Sequence, residues 1–447
     1  MTPQLLTIIV LAAMFVVATV FPINIGALAF VAAFLVGTLA LSMAPEAILG
    51  GFPADLFLTL VGVTYLFAIA KNNGTVDLMV RAATRLVGGR VVAIPWVMFG
   101  ITALLTAVGA LSPAAVAIVA PIALGFAVKY RIDPLMMGMM VVHGAQGGGF
   151  SPASVYGVTV NTIVADNGLA VHPVTLFLGS LAFNLAIALL LFVSLGGHRL
   201  VGVRVEQIEN EPVTVAGGSG GKGGGTAVAA GGAGGEAGAA DPDAGRAPGI
   251  RLDQAATLLG ILALGVLALG FGLNVGFVAI TVTVVLALIS PKAQKNAVSQ
   301  ISWPTVLLIT GMLTFVGVME SAGTIEYVGL AAAGLGAGLL VALLLCYIGG
   351  VVSAFASSTA ILGATIPLAV PFLLMGEVSA TGVIVALAVS STIVDVSPFS
   401  TNGALVLANA TGTDPERFYR RILVYSAIVV VLGPLAAWGV LVAPGLL

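Results

Sequence analysis

Two seven-residue runs in this chain share one pattern of small polar residues. Ser151-Pro152-Ala153-Ser154-Val155-Tyr156-Gly157 and Ser397-Pro398-Phe399-Ser400-Thr401-Asn402-Gly403 both read S-P-x-S-x-x-G, at an offset of 246. Serine and threonine hydroxyls beside freed backbone carbonyls suit a cation such as Na⁺. Freed N–H groups at a helix start suit an anion such as a carboxylate. On that chemistry, Ser151, Ser154, Ser400, Thr401 and Asn402 are candidate anion-binding residues, with Gln146 as a donor ahead of the first run. Gly148, Gly149, Ser397 and Asp395 are candidate cation-binding residues. Asp395 and His143 are the ionisable residues of these stretches. An ionisable group within a membrane is a functional hypothesis by default. Asp395 is read as a cation or proton site, and His143 as a hydrogen-bonded packing residue.

The elements that must position these groups are membrane helices. Of 447 residues, 59% are apolar and only 8% are charged, about a third of the charge usual in soluble domains. Mean hydropathy is +1.17. A soluble enzyme or binding module is excluded. The net charge of −2 carries no basic stripe, which excludes nucleic-acid binding. The single cysteine, Cys346, excludes a disulfide framework. Long apolar runs without period-two alternation exclude a transmembrane β-barrel. An intramembrane enzyme is disfavoured, because His-Glu-x-x-His is missing and only one membrane aspartate could join a dyad.

The expected fold is all-α and polytopic, with about eleven transmembrane helices and twelve as the alternative. The first 21 residues lack Lys and Arg, so they read as a retained span rather than a signal peptide. Residues 1–200 form a first repeat and 251–447 a second. Between them, 201–250 is a Gly-rich disordered linker containing Gly-Gly-Ser-Gly-Gly-Lys-Gly-Gly-Gly. No Gly-Lys-Ser/Thr follows, so a phosphate loop is disfavoured there. The uncharged stretch 134–165 would run about 48 Å as one helix, longer than the roughly 30 Å core of a bilayer. Proline and clustered glycines break it. Broken helices are therefore expected at 134–165 and 380–412. Ahead of each lies a segment, 110–128 and 356–374, with a bend at Ser112-Pro113 or Ser357-Ser358-Thr359 and a central Pro121 or Pro367. Both read as re-entrant hairpins. Internal repeats with interrupted spans point to a secondary transporter. Inversion of the two halves requires an odd number of crossings in each, whereas the paired opening helices (4–21 with 23–42, 252–270 with 274–290) suggest an even number.

The order of serine-bearing hairpin, downstream proline and broken helix, all duplicated, resembles the ion transporter superfamily, which includes the divalent anion/sodium symporters. Residues 1–160 look most like the MatC-type dicarboxylate (malonate) carriers. The sodium symporters carry Ser-Asn-Thr ten residues before the hairpin proline. Here those places hold Leu111-Ser112-Pro113 and Ser357-Ser358-Thr359. The resemblance thus implies that Ser112, Ser358 and Thr359 contact substrate, and that Ser112, Ser357, Ser358 and Thr359 contact the cation. Both motif asparagines are missing. The resemblance further implies a homodimer in the inner membrane, with an elevator-type domain carrying a small dicarboxylate of the malonate or succinate class. The coupling ion would be Na⁺ or H⁺, with no other cofactor or metal. The alternative is an efflux carrier for another organic anion or oxyanion.

Overall fold

The computed structural model describes residues 2–21, 23–85, 88–204, 251–271, 273–325, 327–328, 338–354, 358–376, 378–410 and 413–445. The expected linker over 201–250 and the cation candidate Ser357 fall largely or wholly outside them. Among the described residues the chain is all-helical.

The first half opens with α1 (Pro3–Val20), α2 (Ile25–Leu35), α3 (Ala54–Asn72) and the short α4 (Thr75–Arg85). Then follow α5 (Ala93–Ala107), α6 (Ser112–Lys129), α7 (Pro134–Gly148), α8 (Val155–Asp166) and α9 (Pro173–Ser194). The second half opens with α10 (Leu252–Gly265), α11 (Val275–Ile289) and α12 (Trp303–Ser321). It continues with α13 (Gly338–Ser353), α14 (Ser358–Leu374), α15 (Ala380–Ile393), α16 (Thr401–Ala408) and α17 (Pro415–Leu441). Among the described residues, six segments are long and apolar enough to cross a membrane, and seven shorter helices are also apolar.

Asparagine caps start α2 and α11: Asn24 accepts from the N–H of Gly26 and Asn274 from that of Phe277. The same side chains reach the other half, Asn24 donating to the Pro304 carbonyl and Asn274 to Asp55. Behind them the helices touch backbone to backbone. A Cβ on Gly26 would lie 2.0 Å from the Leu307 carbonyl oxygen, and one on Gly311 would lie 2.1 Å from that of Gly26. Across α11 and α3, a Cβ on Gly276 would lie 2.8 Å from the Thr59 nitrogen. Thr7 meets Thr324, and Asn73 donates to Thr257. These pairs make α2–α12 and α3–α11 a closely locked frame.

The hairpins differ from the expectation over 110–128 and 356–374. Each of those segments is largely one continuous helix, α6 or α14. Proline at the second position of α6 starts the helix, because the N–H it lacks would be unpaired there anyway. The hairpin limbs are instead α5 with α6, and α13 with α14. Val91, just ahead of α5, bonds to Val203. Arg131, just after α6, shares a small cavity with Arg199 and Leu200. Both limbs of the first hairpin therefore open on one face, and α5, with 15 residues, spans about 22 Å. The second hairpin opens on the opposite face. There Trp438 near the end of α17 donates to the Leu339 carbonyl at the start of α13. Gly382, at the start of α15, abuts the Leu441 carbonyl.

Over Ala380–Ala408, 89% of the most apolar stretch is buried inside the protein, against 33% for α9 and for α17. The second broken helix is therefore central, and α9 and α17 form the outer wall.

Candidate functional site

Both long segments break where the S-P-x-S-x-x-G runs lie. α7 stops at Gly148 and α8 starts at Val155, while α15 stops at Ile393 and α16 starts at Thr401. The structure gives each residue of the run a task. The fourth-position serine caps the second half-helix, Ser154 accepting from the Gly157 N–H and Ser400 from the Gly403 N–H. Their hydroxyls lie 2.5 Å from the Gly149 and Asp395 carbonyls and 2.7 Å from those of Ser151 and Ser397. The glycine lets the chain close on itself. A Cβ on Gly157 would lie 1.9 Å from the Ser151 carbonyl oxygen, and one on Gly403 would lie 2.0 Å from that of Ser397. The motif is thus a folding device. The hydroxyls of Ser154 and Ser400, expected to meet substrate, are engaged with backbone, and they cover carbonyls expected to meet a cation.

Gly148 is likewise a packing residue. A Cβ there would lie 2.0 Å from the Ala103 carbonyl oxygen, so the glycine sets how closely α7 approaches α5. Ser151 donates to the Ala107 carbonyl at 2.5 Å, tying the first break to the first hairpin. Gly109 makes that hairpin's turn with φ of 110°, in the region that favours glycine.

The two breaks meet the two hairpin tips crosswise. Asn402 of α16 donates to the Ser112 hydroxyl at the start of α6, at 2.8 Å. The offset of 246 pairs Asn402 with Tyr156 of α8, which lies beside Thr359 at the start of α14, one place on from Ser358, the offset partner of Ser112. Ser358 joins the second break directly, its hydroxyl 2.6 Å from Asp395 Oδ1. Ser112, Ser358, Thr359, Asp395, Ser397 and Asn402 are all buried. Thr401 is exposed.

A serine chain continues from Asp395. Ser353 Oγ lies 2.8 Å from Ser358 Oγ and 2.5 Å from the Ser391 carbonyl oxygen. A serine owns one hydroxyl hydrogen, and a carbonyl only accepts. If Ser353 donates to Ser391, Ser358 donates to Ser353, and the hydrogen between Ser358 and Asp395 comes from the carboxyl group. With an ionised Asp395 the hydrogens run the other way. The 2.5 Å contact to Ser391 then has no hydrogen of its own.

Several buried polar groups at the centre have spare capacity, the Ser390 and Ser391 hydroxyls on α15 among them. Asn402 Oδ1 has no partner, nor do the two amide atoms of Gln146. Gln146 lies on α7, with its backbone carbonyl 3.5 Å from the Ser180 hydroxyl of α9. His143 is bridged between Asn184 on α9, at 3.0 Å, and Tyr425 on α17, at 2.6 Å. Sequence reasoning missed Tyr156, Ser353 and Ser391. The repeat offset that pairs Tyr156 with Asn402 was the available signal. Among the described residues no cluster of His, Cys, Asp and Glu could hold a metal ion.

Residues 1–149 match the family model of the dicarboxylate carrier protein MatC N-terminus. Residues 266–445 match the citrate transporter model. Among solved structures, the YdaH transporter of Alcanivorax borkumensis, described as having an unusual topology, is similar in fold. Its TM-score is 0.57 at 14% identity, covering 88% of this chain and 86% of that one. None of the curated proteins matches the chain in sequence. With one organic-anion carrier model in each half and a transporter's fold, the chain is a multi-pass membrane transport protein, not an enzyme, and resembles the MatC-like carriers of the ion transporter superfamily.

Proposed function

We propose that the chain is a secondary active transporter that moves a small dicarboxylate of the malonate or succinate class across the inner membrane, coupled to a cation. The observation that carries this reading is the crossed meeting of hairpin tips and helix breaks, Ser112 with Asn402 and Thr359 with Tyr156. Such a centre presents neutral donors to an anion from both halves. No Lys or Arg lies in 108–128, 134–165, 358–374 or 380–410, so a bound cation is needed to keep the acid at the second break from adding its own charge to that of the substrate. Asp395 is the residue that holds it. The hydrogen count along Asp395, Ser358, Ser353 and Ser391 favours a proton over Na⁺.

The arrangement also supports two inverted repeats. If each hairpin returns to its own face, five crossings remain per half: α1, α2, α3, the broken α7–α8 and α9 in the first, and α10, α11, α12, the broken α15–α16 and α17 in the second. Five is odd, as inversion requires, and the total is ten crossings with two hairpins rather than eleven or twelve. The locked α2–α12 and α3–α11 pairs suit a fixed scaffold, in a homodimer, against which the hairpins and broken helices move as an elevator. An efflux carrier for another organic anion or oxyanion is a second reading; the citrate transporter match over the half that carries Asp395 supports its organic-anion part.

The test is uptake of labelled malonate and succinate into proteoliposomes under imposed H⁺ or Na⁺ gradients. Saturable accumulation driven by a proton gradient is the expected result. Uptake indifferent to every imposed gradient would overturn the coupling, and loss of competition between C3–C5 dicarboxylates would overturn the substrate class.

A further inference from the structure

An open trough of about 1140 Å³ runs along the outer wall between α9 and α17. It is lined by small residues, including Gly179, Ala182, Ala186, Gly433 and Ala436, and by larger apolar side chains such as Phe183 and Ile428. Its charged side chains sit at one end only: Arg417, Arg420 and Arg421. These three lie in the first two turns of α17, at spacings that place them on the face that continues as Val424 and Ile428. Arg421 is also tied to Asp133 at 2.8 Å. That aspartate caps α7 by accepting from the N–H groups of Leu135 and Met136. Arg131 and Arg199 line the adjoining cavity together with Asp133, and Asp414 and Glu416 precede Arg417 at the start of α17. Basic clusters mark the cytoplasmic ends of spans.

We propose that this trough seats an anionic phospholipid, with acyl chains along α9 and α17 and its phosphate at Arg417 and Arg420. The trough supplies both halves of that ligand's chemistry, an apolar bed and a cationic end at one membrane surface. A second copy of the chain fits it less well. Copies in one membrane are related by an axis along the bilayer normal. Dimerising through this wall would bring one arginine cluster against the other at the same depth.

The experiment uses the full-length purified protein in detergent with spin-labelled phosphatidylglycerol or phosphatidylcholine of identical chains. Each bound arginine contributes roughly fivefold to the preference for an anionic lipid. Phosphatidylglycerol should therefore bind about 25-fold more tightly, and R417Q/R420Q should bring the two lipids near parity. Arg421 is kept in that variant so that its ion pair to Asp133 stays intact. Ala186→Phe, which fills the trough, should weaken both lipids while preserving their ratio. Equal binding of the two lipids by the unaltered protein would overturn the proposal. So would a preference unchanged in R417Q/R420Q, or displacement of the lipid by soluble glycerol phosphate alone. Conversion of a dimer to a monomer by Ala186→Phe, with no change in lipid binding, would assign the trough to a second copy instead.

Discussion

Replacing Asp395 with Asn separates cation coupling from substrate recognition. In the structure the carboxyl oxygen lies 2.6 Å from Ser358 Oγ. If the carboxyl supplies the hydrogen of that contact, an amide of the same size supplies one equally well. Folded stability should then change by less than about 1 kcal/mol, the scale of one neutral hydrogen bond. Asp395→Leu, by contrast, takes away the donor to the buried Ser358 oxygen, at a cost of about 1–3 kcal/mol. Function should respond in the opposite sense to stability. A gradient of one pH unit stores about 1.4 kcal/mol per proton, or tenfold accumulation of solute. An amide cannot take up and release the proton, so D395N should bring that tenfold accumulation close to onefold. Exchange of labelled for unlabelled malonate at equal pH needs no net proton movement, and it should persist. Both quantities are read in the same proteoliposomes. Undiminished pH-driven accumulation by D395N would refute the reasoning outright. Loss of exchange in a variant with an unchanged melting temperature would place Asp395 in substrate binding and not in coupling.

Three further outcomes follow from the same geometry. Gly157→Ala and Gly403→Ala each place a methyl group within about 2 Å of a carbonyl oxygen, so each should lose roughly 1–3 kcal/mol of stability or more, read as a lower melting temperature in detergent. Asn402→Ala removes the cross-link to Ser112 and should raise the KM for dicarboxylate by about five- to 150-fold, the equivalent of 1–3 kcal/mol; an unchanged KM would remove Asn402 from the site. His143→Phe leaves Asn184 and Tyr425 each short of a buried partner, so it should cost about 1–3 kcal/mol while leaving the pH profile of exchange unmoved.

What the sequence made legible was punctuation. Ser-Pro and glycine announce a helix break wherever they fall in an apolar run, and the two breaks fall at those residues. Position along the chain was harder. Ser112-Pro113 reads equally well as the middle of a bend or as the first turn of a helix, and only the partner limb α5 decides between them. The hydroxyls were harder still. Ser154 and Ser400 look like ligand groups in a string of letters, yet each caps a half-helix, because an interrupted helix in a bilayer must first satisfy its own backbone. Contacts such as Ser358 with Asp395 join residues on different helices, and no local pattern encodes them. Tyr156 went unread because the repeat matches it to a chemically different residue, Asn402.

That mismatch separates frame from function. At the offset of 246 the framing residues are the same in both halves: Ser151 and Ser397, Ser154 and Ser400, Gly157 and Gly403. The residues around them are not. Gly149 stands opposite Asp395, Tyr156 opposite Asn402, and Gln146 opposite Thr392. A duplicated frame would place two cation sites symmetrically, yet among the described residues only the second copy carries an acid at the break. On the proposed reading, one acid holds one coupled cation per dianion, so that one net negative charge moves in each cycle. Each elementary charge is worth about 2.3 kcal/mol per 100 mV, so a potassium-diffusion potential of about 100 mV, positive inside, should raise malonate accumulation by roughly 50-fold. Accumulation insensitive to that potential would require a second cation, and with it a second binding group outside the acid at position 395.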